Sequence, residues 1–102
     1  ENTLLESEID ENDYHQSIEL ISNLFKKAKL VHGDFSEYNI FKTKNGLKLF
    51  DLGSAVDRTH PNTMNFLKRD INNITNFFVK RGLTVENPAD ILERITKWAL
   101  KN

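Results

Sequence analysis

The sequence predicts an α+β fold, mainly helical with one small β-hairpin, and three observations carry that prediction. Apolar residues recur at helical spacing over His15 to Lys29 and again over Asn62 to Arg81. Two short apolar runs flank Lys44-Asn45-Gly46, whose Asn-Gly pair is a strong hairpin signal. The chain has 102 residues, 38% hydrophobic and 28% charged, enough to close one modest core and not two.

Residues 1–14 are polar and acidic without a convincing period, and read as a linker or short helix. From His15 to Lys29, Ile18, Ile21, Leu24, Phe25 and Ala28 fall on one helical face, and Lys26, Lys27 and Lys29 in the last turn complement the helix dipole. Leu30-Val31-His32 is a very short buried strand, broken by Gly33-Asp34. The hairpin joins Asn39 to Thr43 with Leu47 to Asp51. Leu52 to Pro61 lacks a period and is expected to be an irregular loop. On the long helix Phe66, Leu67, Ile71, Ile74, Phe77 and Phe78 share a stripe, and Gly82 stands where a left-handed cap is needed. A last helix starts with Asn87 as N-cap and Pro88 at its first position, with Ile91, Leu92, Ile95, Trp98 and Ala99 facing inward.

Composition excludes several classes of function. Fourteen basic and fifteen acidic residues give a net charge of −1, without the electrostatic footprint of a general nucleic-acid or anionic-membrane binder. The absence of cysteine removes disulfides, thiolate zinc sites, iron–sulfur ligation and a cysteine nucleophile. No apolar run approaches the roughly 18 residues of a membrane span, and the acidic start is the opposite of a signal or transit peptide. A soluble, cytoplasmic protein is expected.

The chemistry-bearing stretch runs from Leu30 to Asn39, followed by the hairpin that delivers Asp51. An Asp, a four-residue spacer, an Asn, and a further Asp past a returning hairpin is an arrangement suited to phosphoryl transfer. Asp34 would orient the attacking hydroxyl and accept its proton, while Asn39 and Asp51 offer the hard oxygens that hold Mg²⁺. The hairpin should bring Asn39 and Asp51 side by side at its open end. Each residue alone is also an ordinary turn former; the joint pattern carries the reading.

The run His32-Gly33-Asp34-Phe35-Ser36-Glu37-Tyr38-Asn39 resembles the catalytic loop of the RIO family of atypical protein kinases. Phe50-Asp51-Leu52-Gly53-Ser54-Ala55-Val56 is similar to the family's metal-binding loop, and His60-Pro61 with Phe66 to Phe78 to its following helix. Gly53 with Ser54-Ala55-Val56 looks most like the first, archaeal-type branch, which often has Gln where Ser54 stands. The resemblance implies the mainly helical C-terminal lobe of a kinase-like fold over residues 15–102, with residues 1–14 following the lobe hinge. It implies Asp34 as catalytic base, Asn39 and Asp51 as Mg²⁺ and nucleotide ligands, Asp51 as a possible phosphoryl acceptor, and ATP as co-substrate. The implied partners are a protein substrate or the chain itself, and a maturing small ribosomal subunit with its rRNA. A non-catalytic partner-binding lobe is the second reading, and a small-molecule phosphotransferase the third, since aminoglycoside- and choline-type kinases share part of the motif.

A kinase also cradles ATP phosphates with a glycine-rich loop and a strand lysine in its N-terminal lobe. Gly33, Gly46, Gly53 and Gly82 do not form such a loop, so the sequence reads as an isolated C-terminal lobe with negligible activity by itself. His32 is expected to anchor the catalytic loop, and Asp70, on an otherwise apolar stripe, to tie the long helix to it. Lys26, Lys27, Lys29, Lys42, Lys44 and Lys48 read as a solvated face, with an rRNA contact as the sharper alternative.

Overall fold

The computed structural model describes residues 2–101, with side chains through Lys97. The elements are β1 (Asn2–Thr3), a single 3-10 turn (Leu4–Glu6), α1 (Glu11–Lys26), β2 (Leu30–Val31), β3 (Ile40–Thr43), β4 (Gly46–Leu49), β5 (Val56–Asp57), α2 (Thr63–Lys80) and α3 (Pro88–Lys101). Three helices pack on one another, with a three-stranded sheet ordered β1-β3-β4 and a two-stranded β2-β5 ladder at their edge. This is the α+β architecture expected from the periodicity.

The first fourteen residues carry more structure than their acidic composition suggests. Asn2 and Thr3 pair antiparallel with Lys42 and Phe41, and Leu4 is fully buried. Lys42 fastens this segment: its Nζ donates to the carbonyl of Glu8 at 2.9 Å and to Asp13 Oδ2 at 2.8 Å. The Asp13 contact raises the Lys42 pKa, so this lysine is not part of a freely solvated face. Helix α1 starts four residues earlier than the apolar stripe indicates, because Asp10 and Asp13 form a reciprocal capping box. It ends at Lys26, and Ala28, expected inward, is exposed.

Gly46 alone in the hairpin turn takes a left-handed conformation, with φ of 100°. Lys44 and Asn45 keep negative φ, so the connection is not the mirror-image turn that an Asn-Gly pair at its centre would make. Helix α1 covers the outer edge of β4, where Gln16 Oε1 accepts from the Leu47 amide at 3.0 Å. The segment expected to be an irregular loop contains β5, whose Val56 and Asp57 pair with Val31 and Leu30.

Helix α2 closes as predicted from its stripe and Gly82. The Leu83 amide reaches the Phe78 carbonyl and the Gly82 amide the Val79 carbonyl, while Gly82 sits at φ of 92°. Asn87 caps α3 by accepting from the Ala89 amide at 2.9 Å. The core gathers Tyr14, Ile18 and Ile21 from α1, Leu67, Ile71, Ile74 and Phe78 from α2, and Ile91 and Ile95 from α3. The side chains of Trp98 and Ala99, expected to face inward, lie outside the described residues.

Candidate active site

Gly33 turns the chain out of β2 at φ of 86°, and a Cβ there would stand 3.1 Å from the Ser54 carbonyl oxygen. That turn is held from two directions. From below, the carboxylate of Asp70 on α2, only 1% exposed, accepts the amides of Gly33 at 2.9 Å and Phe35 at 3.1 Å. Its neighbour Arg69 donates to the Gly33 carbonyl and lies over the Phe66 ring. From the side, Ser54 Oγ donates to the His32 carbonyl at 3.0 Å, and His32 Nε2 stands 3.4 Å from the Phe50 carbonyl oxygen. His32 Nδ1 accepts the Asp34 amide at 3.0 Å, which assigns the ring proton to Nε2. The structural roles expected for His32 and Asp70 are therefore present as hydrogen bonds.

Burial pushes the Asp70 carboxyl above its ordinary range, against the opposing pull of the two amides, His32 and Arg69. Gly33→Ala combines a positive φ with a backbone clash and should cost about 1–3 kcal/mol. Urea unfolding measures the cost; an unchanged midpoint would show that the loop relaxes freely.

Held in this way at its backbone, Asp34 leaves its side chain exposed and, among the described residues, without a hydrogen-bond partner. The loop then closes on itself. Asn39 Nδ2 donates to the Asp34 carbonyl at 2.8 Å, and the Asn39 amide to the Ser36 carbonyl at 3.0 Å. The β3–β4 ladder runs on past its last paired residues, because the Phe50 amide donates to the Asn39 carbonyl at 3.0 Å. Asn39 thus stands opposite Phe50, one residue before Asp51, at the open end of the hairpin. Asp51 is left-handed with φ of 61°, and its Oδ1 accepts the Gly53 amide at 3.2 Å.

The donor set suits a hard cation. Among the described residues Asn39 Oδ1 and Asp51 Oδ2 accept no hydrogen bond, and Mg²⁺ is commonly bound by one or two protein oxygens, with phosphate and water oxygens completing its shell. Among the described residues no group of three His, Asp or Glu stands together as a metal cage. A cation here would take the rest of its ligands from phosphate and water oxygens. Two members of the frame, Ser54 and Arg69, carry no site role in the motif reading; for Arg69 the available signal was its place beside Asp70.

Residues 2–91 match the family model described as the RIO domain. The chain belongs to the RIO family. The RIO chain is 38% identical over 86 residues to the probable serine/threonine-protein kinase RIO1 homolog of Encephalitozoon cuniculi, covering 84% of this chain and 22% of that protein. It is 40% identical over 94 residues to the RIO-type serine/threonine-protein kinase Rio1 of Thermoplasma acidophilum, covering 92% and 49%. The latter accords with the resemblance to the archaeal-type branch. Among solved structures, the Rio2 kinase-ADP/Mg²⁺-phosphoaspartate complex from Chaetomium thermophilum superposes with a TM-score of 0.65 at 25% identity, over 89% of this chain and 32% of that one. The RIO chain spans less than half the length of each of these relatives.

Proposed function

We propose that this RIO chain supplies the catalytic-loop side of a serine/threonine kinase or ATPase that transfers the γ-phosphate of ATP. The observation that carries the reading is the contrast at Asp34: a backbone fixed by hydrogen bonds through His32, Asn39 and the neighbouring amides, and a carboxylate left open. In the proposed step the acceptor hydroxyl gives its proton to Asp34 as its oxygen bonds to the γ-phosphorus. The bond from that phosphorus to the β,γ-bridging oxygen breaks, and ADP leaves with the electron pair. Mg²⁺ bound at Asn39 and Asp51 would neutralise phosphate charge. Asn39 has a second duty, since its amide ties the far end of the loop to the residue that carries the base.

A second reading has a specific observation behind it. Asp51 is exposed, with one carboxylate oxygen uncommitted, and the related Rio2 complex is described as a phosphoaspartate. Attack by an Asp51 carboxylate oxygen on the γ-phosphorus, with the bond to the β,γ-bridging oxygen breaking and ADP leaving with its electron pair, would form an aspartyl phosphate and make ATP turnover a switch. By the family resemblance, the setting proposed is cytoplasmic maturation of the small ribosomal subunit.

The test uses the full-length protein with γ-labelled ATP and Mg²⁺. Because phosphoryl transfer depends more on positioning and charge than on proton removal, Asp34→Ala should lower transfer to hydroxyls by about 10²-fold, the low end for a general base. Transfer at the parent rate would remove Asp34 from the mechanism.

A further inference from the structure

Beside the base lies a pocket of about 360 Å³ whose lining includes Asp34, Glu37 and Tyr38 from the loop and Asn73, Asn76 and Lys80 from α2. The phosphoryl-transfer step uses only one of these side chains. Asn73, Asn76 and Lys80 follow one another at three- and four-residue intervals, so they form a single row along the helix. Among the described residues none of the three side chains has a hydrogen-bond or ion-pair partner. Asp70, one turn before Asn73, holds the amides on either side of Asp34. The row therefore starts beside the base and leads away from it.

We propose that this row is the docking track for the phosphoacceptor, an extended peptide segment with its Ser or Thr at Asp34 and an acidic residue about three positions away at Lys80. The proposal rests on the phosphoryl-transfer reading and names the substrate class for it. Three features select a peptide. Carboxamides present both a donor and an acceptor, the pair needed to read main-chain amides without reading side chains. The pocket lining carries charge of both signs, Asp34 and Glu37 from the loop and Lys80 from α2. The spacing fits as well: seven residues of helix from Asn73 to Lys80 rise about 10 Å, close to three residues of extended chain at about 3.3 Å each. An acidic side chain next to the acceptor would instead meet Asp34 and Glu37, which selects against acid there.

The experiment compares Ser peptides in an otherwise Ala and Gly background, with Glu, Ala or Lys placed three residues before or after the acceptor, using full-length protein and γ-labelled ATP. On one of the two sides the parent should prefer Glu over Lys by about fivefold in kcat/KM, the scale of one exposed ion pair. The preference should fade as salt is raised. Lys80→Glu should invert it and Lys80→Ala should flatten it, a ratio that a uniform loss of activity or folding cannot mimic. Equal ratios in parent and Lys80→Glu would overturn the track. ATP turnover without labelling of any peptide would overturn it while leaving phosphoryl transfer intact. No ATP-dependent chemistry in the parent would remove the underlying reading and the track together.

Discussion

Asp51→Asn in the full-length protein is expected to lower ATP turnover by about 10⁴-fold or more, a larger loss than removing the base. Asp34 acts on a proton, whereas Asp51 is assigned the charge that holds a cation against the phosphates, worth several kcal/mol of transition-state stabilisation. The substitution is nearly isosteric. Asn keeps an oxygen for the Gly53 amide, which is the Asp51 contact that shapes this turn, and Asn tolerates the left-handed φ of 61° as readily as Asp does. Folding should therefore survive and the loss should lie in chemistry. The nature of the label separates the two readings of this residue. Label that is stable in acid and lost with Asp34→Ala marks transfer to hydroxyls; label released by hydroxylamine, present in the parent and absent in Asp51→Asn, marks an aspartyl phosphate. Turnover in Asp51→Asn at the parent rate would strip Asp51 of both roles.

The largest expected effect on stability is at Asp70. Its carboxylate is almost fully buried and accepts two loop amides, so Asp70→Ala leaves both donors unpaired in a place water barely reaches. At about 1–3 kcal/mol for each lost partner, the cost is about 3–5 kcal/mol, a large share of the roughly 5–15 kcal/mol that holds a domain together. Activity should fall too, because the Gly33 turn that aims Asp34 loses its foundation. Asp70→Asn separates charge from hydrogen bonding, since a carboxamide offers one acceptor where the carboxylate offers two. Burial raises the Asp70 pKa in the folded state, so between its unfolded and folded values the native protein binds more protons than the unfolded chain. Its contribution is then full below the unfolded pKa and declines as pH rises through the folded one. Urea unfolding across the acidic range should show the stability difference shifting toward Asp70→Asn as pH rises through that window. A flat difference would mean that the amides and burial cancel, and a shift the other way that the amides outweigh burial.

Much of this fold was legible because its signals are local. The stripe from Phe66 to Phe78 with Gly82 behind it, and Asn87-Pro88 ahead of α3, specify helix ends through contacts within a few residues. The Asp34, Asn39 and Asp51 spacing was legible for the same reason, since one short loop ties Asp34 to Asn39 and one short hairpin relates Asn39 to Asp51. What escaped depends on distant partners. Leu4 is buried because β1 finds β3 some forty residues on. Val56 becomes a strand because β2 is waiting for it. Tyr14, donating to Glu86 Oε1 at 3.1 Å, lies in a helical turn whose only local clue was an Asp10–Asp13 pair standing where Ser and Glu are usual. Ser54 in the site frame belongs to this group, since its role appears only once the chain has returned to His32.

The β2–β5 ladder pairs Leu30 with Asp57 and Val31 with Val56, and every residue assigned to chemistry lies between those paired ends. The catalytic segment is in effect a closed loop pinned at its neck, resting on α2 through Asp70 and held to β1 and α1 through its hairpin. Such a loop can detach as one cooperative unit at less than the free energy of global unfolding. In native-state hydrogen exchange, the amides of Val31, Phe35 and Phe50 should share one opening free energy, below that of the amides in mid-α2. The elements that carry reactivity would then come and go together, while the three helices persist as the platform to which they return.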